Sequence, residues 1–89
     1  MSEERTTLLE FPCEFPLKIM GSNEPHLITE VIAVVCGYAP DFDPNTVEMR
    51  PSSKGNYMGL TCTIRAVSQE QLDNIYRALS SHPLVKFVL

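Results

Sequence analysis

The order of structural elements is decided by residues 47–66, which read VEMRPSSKGNYMGLTCTIRA. Apolar and polar residues alternate on both sides of Gly55-Asn56, and this pattern predicts two strands joined by a tight turn. A two-residue turn at Gly55-Asn56 would place Met49 opposite Cys62 and keep the apolar residues of both strands on one face. A four-residue loop over residues 53–56 preserves the same alternation, so the sequence leaves the loop length open.

One strand and one helix are predicted on each side of this hairpin. Before it, residues 13–20 alternate as a half-buried strand, and residues 27–38 carry apolar side chains at helical spacing. After it, Ser68 and Gln71 form a capping-box pattern that begins a second helix. Residues 84–89 then supply a final strand.

The resulting order is strand, helix, strand, strand, helix, strand. Right-handed crossovers place both helices on one face of a four-stranded antiparallel sheet. We therefore predict an α+β fold of the ferredoxin-like type, a βαββαβ two-layer sandwich over residues 13–89, preceded by an N-terminal arm over residues 1–12. Leu8, Leu9 and Phe11 of the arm are apolar enough to dock on the domain. The exposed sheet face is predicted to be flat and polar, with Lys18, Glu48, Arg50, Thr61, Thr63 and Arg65.

Composition excludes several classes of function. The 89 residues allow a single domain with a thin core, and the formal net charge is −4. Because the seven Lys and Arg residues are scattered, neither nucleic acid nor an anionic membrane is an expected partner. The N-terminus lacks the basic start and apolar stretch of a signal peptide, and no apolar run is long enough to span a membrane. We therefore expect a cytoplasmic protein in which Cys13, Cys36 and Cys62 are reduced thiols.

No catalytic residues, metal ligands or cofactor site are predicted. His26 and His82 have no serine, cysteine or carboxylate at a useful sequence spacing. The pattern Asp41-x-Asp43-x-Asn45 resembles the start of a calcium loop, but Thr46 replaces the required glycine and Ser52 the bidentate glutamate. The residues that metal-carrying, phosphate-hydrolysing and RNA-reading domains of this fold require are also missing. We therefore expect a protein that is not an enzyme.

The candidate site is the loop from Pro51 to Tyr57, which combines two hydroxyls, a cation, a glycine and an amide. Backbone N–H groups of such a turn, with Lys54 beside them, can hold an anion. The alternative is that Gly55-Asn56 simply closes a hairpin and that the polar side chains keep it soluble. We predict that the loop binds a ligand or partner through Ser52, Ser53, Lys54, Gly55, Asn56 and Tyr57.

Besides the Pro51–Tyr57 loop, the sequence contains the shorter motifs Leu8–Pro12, Met20-Gly21, Ala39-Pro40 and Val88-Leu89. In these motifs together the chain resembles the YbeD family of small uncharacterised bacterial proteins. The resemblance implies a ferredoxin-like fold similar to ACT domains, which bind amino acids at interfaces between paired domains and regulate metabolic enzymes. It implies no activity, and it points to no functional residues beyond the same loop.

These observations favour a non-enzymatic regulatory or interaction module of the ACT-like kind. Its expected partner is an unidentified protein or a small anionic metabolite. A small enzyme whose active site is assembled at a homodimer interface is the alternative. The apolar last strand, at the edge of the sheet, or the exposed sheet face is expected to support a weak homodimer.

Overall fold

The computed structural model describes residues 10–89 and confirms the ferredoxin-like βαββαβ architecture. Residues 1–9, which include Leu8 and Leu9 of the predicted arm, lie outside the described part. All strand pairs are antiparallel, and the sheet order is β2-β3-β1-β4. The elements are β1 (Cys13–Ser22), α1 (His26–Tyr38), a 3-10 turn (Pro44–Thr46), β2 (Glu48–Pro51), β3 (Tyr57–Ala66), α2 (Gln69–Ser80) and β4 (Val85–Val88).

The core lies between the two helices and one face of the sheet. It is built from the alternating inward residues of β1 and β3 and from the apolar stripes of α1 and α2, as the periodicities predict. Phe11, at the end of the predicted arm, and Cys13 pack against its margin. The largest fully buried side chains are Leu17, Ile19, Leu27, Val31, Val35, Leu60, Cys62, Ile64, Leu72, Ile75 and Leu79.

The predicted capping pattern of α2 is present and also joins the two helices. Ser68 Oγ accepts a hydrogen bond from the Gln71 N–H at 3.0 Å, which satisfies a free donor of the first turn. Gln71 Oε1 accepts from the Val67 N–H at 2.8 Å, and Gln71 Nε2 donates to the Tyr38 carbonyl at 2.8 Å. The start of α2 is therefore tied to the end of α1.

Gly21 is required where β1, β4 and α1 approach one another. The β1–β4 pairing shifts register between Met20 and Gly21. A Cβ atom on Gly21 would lie 2.6 Å from Leu27 Cδ1 and 2.6 Å from the Leu84 carbonyl oxygen. Since real Cβ contacts are longer than this, any side chain here would push α1 and the start of β4 apart.

Pro16 lies in the central strand β1, at a position where its missing N–H removes no hydrogen bond of the sheet. The Lys18 N–H and carbonyl face β4, where they hydrogen-bond to Leu89. Alternate residues of a strand direct their N–H groups to the same side, so the N–H that Pro16 lacks would face the space beyond Leu89. Pro16 therefore lies where the ladder is unpaired, as expected for a strand proline.

Of the two possible hairpin loops, the structure has the longer one. Met49 lies opposite Leu60 and Pro51 opposite Met58, so the loop comprises residues 53–56. Gly55 adopts a positive φ of 77°, which favours glycine. Met49 lies opposite the buried Leu60, so it is on the core side of the sheet as the alternation predicts. Its side chain nevertheless remains 58% exposed, because β2 is an edge strand.

Candidate binding surface

The predicted loop is an ordered hairpin closed by Ser52. The Ser52 N–H donates to the Tyr57 carbonyl at 2.9 Å, and the Tyr57 N–H donates to Ser52 Oγ at 3.1 Å. The Gly55 N–H donates to the Ser52 carbonyl at 3.0 Å, which closes a β-turn inside the loop. Ser52 is half-buried at the base, whereas Ser53, Lys54, Gly55, Asn56 and Tyr57 are exposed.

Asn23, from the β1–α1 connection, holds the same loop from the other side. Its backbone N–H donates to the Asn56 carbonyl at 3.1 Å, and its side-chain Nδ2 donates to the Gly55 carbonyl at 2.8 Å. Two carbonyl groups of the loop thus accept hydrogen bonds from Asn23. The cation of the loop is Lys54. Anion binding by this loop stays a prediction.

A wider candidate site lies on the sheet face that the helices leave open. The face contains a depression of about 380 Å³ to which all four strands contribute. Met20 lies opposite Gly59 of β3 on one side and Phe87 of β4 on the other. The lining residues are Lys18, Ile19, Met20, Glu48, Met49, Arg50, Pro51, Ser52, Gly59, Leu60, Thr61, Phe87 and Leu89.

The depression lies between two walls of side chains, and Met20 and Gly59 of the central strands form part of its floor. A Cβ atom on Gly59 would lie 3.3 Å from the Arg50 carbonyl oxygen and 3.7 Å from Met20 Cε, so the Met20 side chain packs against this glycine. One wall is apolar and consists of Phe87 and Leu89, which are 49% and 70% exposed. The opposite wall, on β2, carries the charged side chains of Glu48 and Arg50.

The predicted loop adjoins this depression but does not form it. Ser52 is the single residue of the six predicted ones that lines the depression. Tyr57 begins β3 opposite Ser22, on the same sheet face as Gly59 because the two positions differ by two. The loop therefore forms a rim at the end of the open face.

Sequence reasoning missed the apolar part of this face. Met20, Phe87 and Leu89 belong to it, although it was predicted to be flat and polar. The alternation along residues 13–20 could have placed Met20 outward. Residues 84–89 are apolar at all but one position, so they carry no alternation from which the outward residues could be identified.

The charged side chains of the open face have a different balance from those of the whole chain. Lys18, Arg50 and Arg65 lie on it with the side-chain carboxylates of Glu14 and Glu48, so cationic side chains outnumber acidic ones. The whole chain has a formal net charge of −4. A ligand close to this face therefore meets a more positive potential than the composition indicates.

Folding brings together one histidine and one carboxylate that are distant in sequence. The Leu84 N–H donates to His82 Nδ1 at 3.1 Å, so the proton of the neutral ring is on Nε2, which lies 3.2 Å from Glu30 Oε1. The sequence spacing did not predict this contact. Because it joins α1 to the α2–β4 connection, on the helix side of the sheet, it lies away from the depression.

The buried thiol is a poor nucleophile. Desolvation raises the pKa of Cys62 to about 11, and the nearby Cys36 adds to the rise. Cys62 therefore remains protonated at neutral pH, and the thiolate is the reactive form. Among residues 10–89, no cluster of three metal-ligating side chains is found.

Over the same stretch of chain, none of the helices has the length and apolarity to cross a membrane. The elements define a small ferredoxin-like α+β domain in which the helices leave one sheet face uncovered. More particularly, the chain belongs to the family described as protein of unknown function (DUF493), which matches residues 6–89. This confirms the resemblance to YbeD-like proteins.

Relatives in this family are similar over nearly their whole length. A UPF0250 protein of Paraburkholderia phytofirmans is 54% identical over 89 residues, covering 100% of both chains. The UPF0250 protein BPP0168 of Bordetella parapertussis is 54% identical over 83 residues, covering 93% of this chain and 91% of its own. A UPF0250 protein of Neisseria gonorrhoeae is 54% identical over 87 residues, covering 98% of this chain and 96% of its own.

Proposed function

We propose that this protein is a non-enzymatic regulatory module that binds a partner or small ligand on the open sheet face. The observation that carries the proposal is the depression between the apolar wall of Phe87 and Leu89 and the charged wall of β2. Concave sites that combine apolar walls with a few polar groups are typical of binding sites. A regulatory module of the ACT-like kind needs such a surface and no catalytic groups.

The chemistry of the site favours an anionic group on the ligand or partner. Lys18 and Arg50 both line the depression, and Lys54 lies on the adjoining loop. Arginine offers a planar set of donors that matches carboxylate and phosphate, and lysine offers a point charge. These three cations support binding of an anionic metabolite or of a protein segment that carries carboxylates.

An enzyme assembled between two copies is less well supported. Such an enzyme needs titratable groups that converge on one site. Within residues 10–89, the histidine–carboxylate contact is the pair of His82 and Glu30, and it lies on the helix side of the sheet. The depression on the other face contains no histidine or cysteine.

The proposal is tested by comparing two serine substitutions of exposed apolar residues. Phe87→Ser changes the apolar wall, whereas Val67→Ser changes a 54% exposed valine after the end of β3. Each protein is purified from the native host to identify stoichiometric partners, and labelled protein is titrated with phosphate, nucleotides and amino acids. We expect amide shifts around Met20 and Gly59 that Phe87→Ser abolishes and Val67→Ser retains. Binding confined to the helix side, or no binding in either assay, would contradict the proposal.

A further inference from the structure

The open face has the shape and charge to receive one α-helix. We infer that the face binds an amphipathic helix of a partner protein, with acidic residues beside its apolar stripe. This inference rests on the proposed function, because it names the kind of partner that the same face receives. Three properties of the face support it: its width, its lack of backbone partners, and its charge.

The width matches a helix. Two ridges border the depression, Phe87 with Leu89 on β4 and Glu48 with Arg50 on β2, and the strands β1 and β3 lie between them. Three strand spacings separate the ridges, which is about 14 Å. An α-helix with its side chains is about 10–12 Å across, so it fits between the ridges with its apolar stripe over Met20 and Gly59 and against the β4 wall.

Backbone hydrogen bonding favours a helix over an extended segment. The N–H and C=O groups of the sheet lie in its plane, where β1 and β3 already pair with their neighbours. An extended segment laid on the face would bury backbone groups without partners, which is costly. A helix satisfies its backbone internally and needs only side-chain contacts.

The charges select an acidic helix. Lys18 and Arg50 line the depression with a single acidic side chain, that of Glu48. Although the chain is acidic overall, charges farther than about 8 Å from a bound helix are largely screened at physiological ionic strength. Lys18 and Arg50 therefore dominate the electrostatic potential that the helix meets at contact. Acidic residues flanking the apolar stripe would meet Lys18 and Arg50.

A second copy of the chain fits the face less well. In a twofold contact the same patch meets itself, so the excess of cationic side chains on one copy would face the same excess on the other. The helices of a second copy cannot supply the apolar stripe either, since Leu72, Ile75 and Leu79 of α2 are fully buried in its own core. The occupant is therefore a helix from another protein.

The test is selection from a displayed library of helical peptides against the full-length protein. Peptides are randomised over one face, selected at physiological salt, and mapped by amide shifts. We expect the enriched peptides to carry Asp or Glu on both sides of an apolar stripe and to shift Met20, Gly59 and Phe87. Phe87→Ser should weaken binding at least about tenfold, as loss of a central aromatic contact does. Lys18→Glu should weaken it about three- to tenfold.

Two matched controls separate the face from the rest of the surface. Val67→Ser repeats the apolar-to-serine change and Arg77→Glu, on α2, repeats the charge reversal, so both should keep the affinity within about twofold. Enrichment of basic or uncharged helices, binding to the helix side, or failure to select any helix overturns the inference. If the face instead binds a phosphate-bearing metabolite or a second copy detected by sedimentation, the inference fails while the proposed function stands. If nothing shifts the face, both fail.

Discussion

The side-chain amide of Asn23 donates to the Gly55 carbonyl at 2.8 Å, across 32 residues of sequence. The hairpin loop is therefore held by the β1–α1 connection as well as by its own turn. Since the loop adjoins the open face through Ser52, Asn23 positions the rim of the proposed binding surface.

Removing this contact should loosen the loop without unfolding the domain. We expect Asn23→Ala to lower the free energy of unfolding by about 0.5–1.5 kcal/mol, the usual net value of one hydrogen bond. Hydrogen exchange at residues 53–56 should accelerate, while exchange in the centre of β3 stays slow. Asn45→Ala, at an exposed asparagine in the 3-10 turn, is the control. Equal exchange rates for the two variants in the loop would show that Asn23 does not order it.

Lys54 should matter for binding and not for stability. Its side chain is exposed, so Lys54→Ala is expected to change the free energy of unfolding by less than about 0.5 kcal/mol. Contact with an anionic metabolite or partner should weaken, because the loop loses its cation. Titration of labelled protein with phosphate, nucleotides and amino acids measures this, with Arg77→Ala on α2 as the control. If amides 52–57 never shift while other amides do, the loop is only a turn.

Two glycines should respond to alanine in opposite directions. Gly21→Ala places a methyl group 2.6 Å from Leu27 Cδ1 and from the Leu84 carbonyl oxygen, and we expect a loss of about 1–3 kcal/mol from overpacking. At Gly37, in α1, a Cβ atom would meet no other atom within 4 Å, so Gly37→Ala should stabilise by about 0.5–1 kcal/mol through helix propensity. Urea unfolding measures both. Equal midpoints would show that β4 and α1 do not approach Gly21 this closely.

Leu60 tests which face of β3 is the core. It is 1% exposed, and Leu60→Ala should cost about 2–5 kcal/mol, the range for large-to-small changes at buried sites. Thr63→Ala on the same strand, at an exposed position of the open face, should cost less than about 1 kcal/mol. A urea midpoint for Leu60→Ala within error of the wild type would mean that the strand faces are reversed.

The buried thiol should make stability fall at alkaline pH. Desolvation raises the pKa of Cys62 from 9.0 to about 11, so between these values the folded state holds a proton that the unfolded state has lost. The contribution of the protonated Cys62 thiol to the free energy of unfolding is complete below pH 9. It declines as the pH rises from 9 to about 11, by up to about 1.4 kcal/mol per pH unit. Cys62→Ala should flatten this decline relative to the wild type, whereas Cys13→Ala should not. Identical slopes for the wild type and Cys62→Ala would refute the linkage.

The fold followed from local patterns, but the candidate site followed only in part. The alternation along β1 and β3 identified the core side chains, and the two possible hairpin loops preserved the same faces, so the uncertainty in loop length did not affect the fold. The loop around Lys54 was also visible in the sequence. The depression was not, because it depends on which residues of four strands lie side by side.

The sequence by itself determined the order of the elements, the inward residues of β1 and β3, and the capping of α2 by Ser68. These depend on periodicity and on contacts within a few residues along the chain. Only the tertiary structure decided that Phe87 lies opposite Met20 on the open face and that Glu30 meets His82. The physical reason is that β4 is apolar on both faces, so its orientation comes from pairing with β1 and not from its own pattern.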